Sequence, residues 1–144
     1  MKIYGIGTDI ANINRIKKSL RNKNFINRLF NKNEIKKCNK QINKANCYAK
    51  RFAAKEAFSK ALGTGISRGI NFNEIIVYNI KSGKPSIKLL GSTKNIVNKI
   101  LNKKKFNIFL SLSDDKPFAV ATVVISLWTK KKLLSLYKKT LRQY

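Results

Sequence analysis

Histidine is absent from this 144-residue chain, and acids are nearly so: six Asp and Glu stand against 32 Lys and Arg, for a formal net charge of +26. Without histidine, imidazole is excluded as a general base. Cysteine is scarce too. Cys38 and Cys47 lack the spacing of a metal site and nothing points to an oxidising compartment, so two reduced thiols on helices of a cytoplasmic protein are expected. No apolar run is long enough to span a membrane: FAVATVVISLW at 118–128 falls well short of the ~20 residues required. The beginning, MKIYGIGTDI, is broken by two glycines and an Asp and does not read as a secretory signal. With 43% hydrophobic residues and little Pro or Gly, the chain is expected to fold as one globular domain with a core of its own.

Two causes can supply so much positive charge. Heavy use of Lys, Asn and Ile is what an AT-rich genome imposes, and it accounts for much of the total. An acidic partner (nucleic acid, anionic membrane or acidic protein) is the functional alternative. Genome bias does not explain why a given carboxylate is kept, so Asp9, Glu34, Glu56, Glu74, Asp114 and Asp115 are the informative positions.

Residues 2–10, KIYGIGTDI, read as a strand. Tyr4, Ile6, Thr8 and Ile10 share one face; Gly5, Gly7 and Asp9 share the other, which is bare and ends in a carboxylate. Such glycines mark close approach by a ligand or another backbone, or else a Gly-rich edge. A basic amphipathic stretch follows at 12–30, capped by Asn12 or Asn14 and broken near Asn22–Asn24. It carries Arg15, Arg21 and Arg28, half of the six arginines in the chain. In a lysine-biased sequence, arginines suggest a carboxylate or phosphate partner, though a solvated face is the plain alternative.

A short helix around Glu34–Lys40 and a longer one from about Asn43 to Leu62 are expected next, with Gly63 ending the latter. Glu56 and Lys60 lie one turn apart on a stripe away from its apolar side. They read either as a solvated ion pair or as part of a metal and phosphate site. Thr64, Gly65 and Gly69 form a turn whose amides could approach a phosphate, a weak signal alone. The second half is β-rich: a hairpin of 73–80 and 86–90 about KSGKP, a helix capped by Ser92, and a second hairpin of 106–113 and 118–126. The tail from 129 reads as a basic helix that is either docked or laid on a membrane surface.

Four segments together carry a resemblance: GIGTDIANINRI at 5–16, RFAAKEAFSKALGTGI at 51–66, SGKPSI at 82–87 and SLSDDKPFAVATVVI at 111–125. In this order and spacing they resemble holo-acyl-carrier-protein synthases, the small bacterial phosphopantetheinyl transferases. The resemblance implies an α+β fold in a small mixed single domain, an antiparallel sheet packed on a long helix, spanning 1–126 with a basic extension at 127–144. It implies transfer of phosphopantetheine from coenzyme A to a serine of acyl carrier protein, in support of fatty acid biosynthesis. On this sequence it places Mg2+ at Asp9 and Glu56, and Lys60 at the diphosphate. Gly63, Thr64 and Gly65 fall where the loop meets coenzyme A, and Arg51 and Phe52 in the nucleotide-contacting part. Arg15, Arg21 and Arg28, with Phe25 as an apolar contact, would meet the acidic carrier protein, and a homotrimer with sites between subunits is implied.

With imidazole excluded, the base that deprotonates the serine is a metal-bound water or a carboxylate. Glu34 is expected to be dispensable for transfer. Asp114 stands where many relatives have His; facing a nucleotide phosphate it would repel, so no role follows for it or Asp115. The rival from another class is a basic nucleic-acid-binding domain. It predicts steep salt dependence and exposed aromatic or arginine readout, whereas the aromatics here fall largely at core positions and no nucleic-acid motif is visible.

Overall fold

The computed structural model describes residues 1–65 and 67–129. β1 (Lys2–Asn12) pairs antiparallel with β5 (Phe118–Leu127), which pairs on its other side with β4 (Phe106–Asp115). This three-stranded sheet lies on a long helix, α4 (Lys44–Leu62), as the expected α+β architecture requires. Between β1 and α4 run three short helices, α1 (Ile13–Ser19), α2 (Lys23–Leu29) and α3 (Lys32–Asn39). A separate hairpin of β2 (Ile75–Asn79) and β3 (Pro85–Leu89), then α5 (Gly91–Ile100), connect α4 to β4. The extension called at 127–144 lies, from residue 130 on, outside the described residues.

Asparagine does the capping here. Asn12, Asn22, Asn31 and Asn43 each accept from a first-turn amide of α1, α2, α3 and α4, so the break at Asn22 is where one helix ends and the next begins. α4 forms because residues 44–62 contain no Gly, Pro or β-branched side chain. It stops at Gly63, whose φ of 79° a residue with a Cβ adopts reluctantly.

α4 is not the one-sided helix its pattern suggests. Arg51, Lys55 and Ser59 are buried along with Ala53, Ala54, Ala57, Phe58 and Ala61. One side lies on the sheet so closely that a methyl group on Gly5 would collide with the Ala61 carbonyl oxygen, and one on Gly7 with that of Ala57. The bare face of β1 is therefore a seat for the helix backbone. Ala11, Ala119, Ala121, Val123 and Ile125 complete that inner face.

The outer face of the sheet is uncovered, with aliphatic side chains on either side of a hydroxyl row, Thr8, Thr122 and Ser111. Ile6, Val124 and Phe109 form one cross-strand row, Ile10, Val120 and Ser113 another. Ile6 is 61% and Ile10 60% exposed, an unusual outlay of large aliphatic surface for a small domain. Cys38 and Cys47, expected as free thiols, are joined in a disulfide instead, because the turn after α3 returns the chain so that their Cα atoms lie 5.4 Å apart.

The cap expected from Ser92 comes from Glu74. Thr93 N donates to its carboxylate at 2.8 Å, Ser92 N at 3.3 Å and the Ser92 hydroxyl at 3.0 Å. These donors, the Thr93 amide foremost, hold Glu74 down to about 2. A carboxyl more acidic folded than unfolded contributes stability above its unfolded pKa, near ~4.3, that is lost as pH falls toward its folded one. Glu74→Gln should therefore lower the urea midpoint at neutral pH, with the gap to the unaltered protein closing between about pH 4 and pH 2. An undiminished gap in acid would show that the cap does not act through charge.

Candidate active site

At the edge of the sheet formed by β1, two acids distant in sequence come together. Asp9 stands on β1 just past the glycines that admit α4, and Glu56 and Lys60 stand on α4 beside it. Lys60 Nζ donates to Asp9 Oδ1 at 2.7 Å and to the Thr8 carbonyl at 3.1 Å. The ion pair sequence spacing allows, Glu56 with Lys60, is thus replaced by one across elements. No hydrogen bond or ion pair reaches the Glu56 carboxylate from the described residues. Burial pushes its pKa up, and the negative charge of Asp9 pushes it further; Lys60 offsets only part.

Two neighbouring acids, one destabilised as an anion, form a donor set a hard divalent cation would relieve. Magnesium takes one or two carboxylates and fills the rest of its shell with water and phosphate oxygens. No group of three or more His, Cys, Asp or Glu suited to a metal occurs among the described residues, which leaves out the closed all-protein cage but not a two-carboxylate site.

The loop after α4 is partly committed to the helix. Gly63 N bonds to the Ser59 and Lys60 carbonyls and Thr64 N to Ser59 O, so these amides cap the helix and do not point outward. Thr64 is itself buried. Gly65, at φ 58° with open space about its Cα, keeps room for close approach.

A second feature lies at the opposite edge. α4 crosses the sheet, so that its N-terminal half reaches β4: Lys50 Nζ and Asn46 Nδ2 donate to the two oxygens of Asp114 at 2.8 and 2.7 Å. Those bonds hold the Asp114 carboxyl below its usual range. Beside them a groove of about 610 Å³ runs between α4 and the β2–β3 turn, lined by Lys37, Asn46, Lys50, Arg51, Asn79 and Pro85 among others. Arg51 is 5% exposed and donates to Cys47 O and Sγ. Phe52 does not line this groove; it packs edge-on against Phe72 at 6.5 Å. Sequence reading singled out Arg51 but not Lys37, Asn46 or Lys50, whose only signal was nearness to the SGKP turn in space.

Arg15 on α1, Arg21 in the turn before α2 and Arg28 on α2 are all exposed. Phe25 is half-buried, edge-on to Phe30 at 6.5 Å.

The family model described as the 4'-phosphopantetheinyl transferase superfamily matches residues 5–123. The holo-[acyl-carrier-protein] synthase of Pelagibacter ubique is 52% identical over 125 residues, covering 87% of this chain and 98% of that protein. The solved holo-[acyl-carrier-protein] synthase of Neisseria meningitidis superposes with a TM-score of 0.77 at 33% identity, over 86% of this chain and 98% of that one. That of Bacillus anthracis, solved in complex with CoA (3',5'-ADP), gives 0.72 at 37% identity over 89% of this chain and all (100%) of the other. A small α+β domain of this topology is thus the frame of a known class of group-transfer enzymes. The chain belongs to the 4'-phosphopantetheinyl transferase superfamily.

Proposed function

We propose that this protein transfers the 4'-phosphopantetheine arm of coenzyme A to a serine of apo acyl carrier protein, releasing adenosine 3',5'-bisphosphate. The observation that carries the reading is the meeting of Asp9, Glu56 and Lys60 at the β1 edge, two acids and an ammonium drawn from separate elements. In the reaction the serine Oγ gives up its proton to a carboxylate or a water at the site and bonds to the phosphorus bearing the pantetheine. The pyrophosphate P–O bond to the adenosine bisphosphate breaks, and the electron pair leaves on that phosphate. Such transfers depend on positioning and charge neutralisation. Lys60 is placed to steady negative charge on the departing phosphate. Mg2+, when held by Asp9 and Glu56, supplies further neutralisation at the diphosphate.

The two edges of one sheet then have complementary tasks. The β4-edge groove, with Lys37, Lys50 and Arg51, suits the nucleotide end of the donor, while the acids at the β1 edge suit its diphosphate. β5 separates the two edges, so one donor is best shared between neighbouring subunits. The exposed rows Ile6–Val124–Phe109 and Ile10–Val120–Ser113 offer a surface for that assembly, a homotrimer. A cytoplasmic setting follows from the substrate, and no helix among the described residues is long and apolar enough to cross a membrane. A nucleic-acid-binding reading gains little support: Phe30, Tyr48, Phe58 and Phe72 are core residues, and the exposed Tyr4, Tyr78, Phe109 and Phe118 are spread over four different strands.

The direct test is incubation with coenzyme A, Mg2+ and apo carrier protein, followed by mass spectrometry for the phosphopantetheine increment on the carrier. No increment, together with tight salt-sensitive RNA binding, would reverse the assignment. Docking through α1 and α2 has its own consequence. Arg15→Glu or Arg28→Glu should raise the KM for carrier protein about tenfold, leave the KM for coenzyme A nearly unchanged, and weaken salt dependence. Equal effects on both substrates would remove the docking role.

A further inference from the structure

The bridge between Cys38 and Cys47 ties α3 to α4, and its two sulfurs are unequally placed. Cys38 is fully buried. Cys47, 8% exposed near the start of α4, lines the groove of Lys37, Lys50 and Arg51. The Arg51 guanidinium donates to Cys47 Sγ at 3.0 Å and to the Cys47 carbonyl at 3.2 Å. A disulfide sulfur is a weak, uncharged acceptor, whereas the same atom as a thiolate is a full ionic partner for a guanidinium. A helix start and neighbouring cations are the surroundings that lower the pKa of a thiol. The charged groups facing Cys47 are Arg51 and Lys50 on its own helix and Lys37 on α3. Of the acids nearby, Asp114 on β4 is held by Lys50 and Asn46, and Glu34 on α3 by Lys55. The balance at Cys47 is positive. In a cytoplasmic protein of ordinary habitat, a disulfide is as a rule transient and redox-sensing.

We propose that Cys38–Cys47 is a redox-active pair, opened at Cys47 by a thiol reductant, and that its opening weakens the groove's hold on the anionic donor by setting a thiolate against Arg51. The inference rests on the reading of coenzyme A as donor and concerns the control of that site. Cys38 is sealed, so attack comes at Cys47 from the groove. A reductant thiolate bonds to Cys47 Sγ, the bond to Cys38 breaks, and its electron pair leaves on the Cys38 sulfur, which takes up a proton. A second reductant thiolate then bonds to the first reductant sulfur. The mixed disulfide breaks and the electron pair remains on Cys47 as a thiolate, so the pair is reduced and the reductant leaves as its own disulfide. The new charge arises on the atom to which Arg51 already donates. Arg51 is neutralised in place, and the groove loses one unit of positive charge. In the disulfide form no such charge exists and Arg51 acts on the ligand undiminished.

The probe is adenosine 3',5'-bisphosphate, which carries no thiol of its own, titrated calorimetrically into the disulfide form and into protein reduced with dithiothreitol. At about pH 8, where the Cys47 thiol is ionised, reduction should weaken binding about tenfold. Cys38→Ser and Cys47→Ser both lack the bridge, but only Cys38→Ser keeps the sulfur beside Arg51. It should bind about tenfold more weakly than Cys47→Ser, and neither should respond to reductant. Equal affinities of the oxidised and reduced unaltered protein overturn the inference. Equal affinities of the two variants overturn it as well, since loss of the bridge alone would then account for the change. Where the variants fail to fold, iodoacetamide decides on the reduced unaltered protein. Cys47 should be alkylated ahead of Cys38, with a rate half-maximal below about pH 7.5 against ~8.5 for an ordinary thiol. An ordinary profile, or Cys38 reacting first, refutes the reactive pair. No binding of the bisphosphate in either redox state strikes the reading of the donor instead, and the alkylation profile still decides whether Cys47 is the reactive sulfur.

Discussion

Removing either member of the Lys55–Glu34 pair should cost about 3–5 kcal/mol of folding stability, a third or more of what a domain this size has to spare. Lys55 is fully buried, and its three ammonium protons are all used: on Glu34 Oε2 at 2.7 Å, the Leu29 carbonyl at 2.6 Å and the Phe72 carbonyl at 2.8 Å. Glu34, 2% exposed, also accepts from Asn31 N at 2.9 Å and Val77 N at 3.0 Å. Five segments meet at this pair: the end of α2, the start of α3, α4, the turn at 72–74, and β2. Burial nonetheless pulls Lys55 down to about 8, against the pull of Glu34 in the other direction, so desolvation outweighs the attraction of the partner. The pair is therefore expensive to break but not a large net stabiliser. Lys55→Met and Glu34→Ala should each shift the urea midpoint strongly at unchanged m, while Lys55→Met with Glu34→Leu should cost less than the sum of the singles. Losses under about 1 kcal/mol for both single variants would refute the argument. Glu34, expected from sequence to be dispensable for transfer, serves the fold: its alanine variant should lose activity only to the extent that it unfolds.

Much of the architecture follows from local signals that act within a few residues. Asparagine caps, the Gly63 stop, the alternation of Phe106, Ile108, Leu110 and Leu112, and the SGKP turn each specify their element without help from elsewhere. What could not be read depends on what arrives from far along the chain. Gly5 and Gly7 look alike whether a ligand or a helix backbone approaches, and only the crossing of α4 decides between them. Lys55 and Lys60 are the same residue type on one helix, yet one is sealed under α2 and the other reaches Asp9. The outward Ile6 and Ile10 read correctly as one face of a strand, but nothing local says whether that face is core or interface.

The acids sort by the same rule. Asp9, Glu34 and Asp114 each hold a lysine, and Glu74 holds a helix end. Each of those has a partner within the protomer that accounts for an acid being kept in so basic a chain. Asp115 is exposed at the β4–β5 turn. Glu56 is left as the half-buried carboxylate whose environment opposes its charge, which no structural role requires.

That imbalance sets the largest expected effect on activity. Glu56→Ala or Asp9→Ala should lower phosphopantetheine transfer by at least about 10²–10³-fold, the scale on which removing a preorganised charge-stabilising group acts. Stability should move the other way for Glu56. The carboxylate is disfavoured by burial first and by Asp9 second, so Glu56→Gln should unfold at the same temperature as the unaltered protein or higher. Asp9→Ala differs, because it strips Lys60 of its 2.7 Å partner, and a small loss of stability is expected with the loss of activity. Thermal shift supplies an independent readout: adenosine 3',5'-bisphosphate should raise the midpoint of all three proteins, whose β4-edge groove is intact, and adding Mg2+ should raise it further only in the unaltered protein. Full transfer by either variant in the presence of a chelator would mean that these two acids do not serve a cation. An inactive Glu56→Gln that is markedly less stable would mean that the acid is kept for the fold. Only loss of transfer with stability retained fits a carboxylate that the folded protein holds at a cost for the sake of its chemistry.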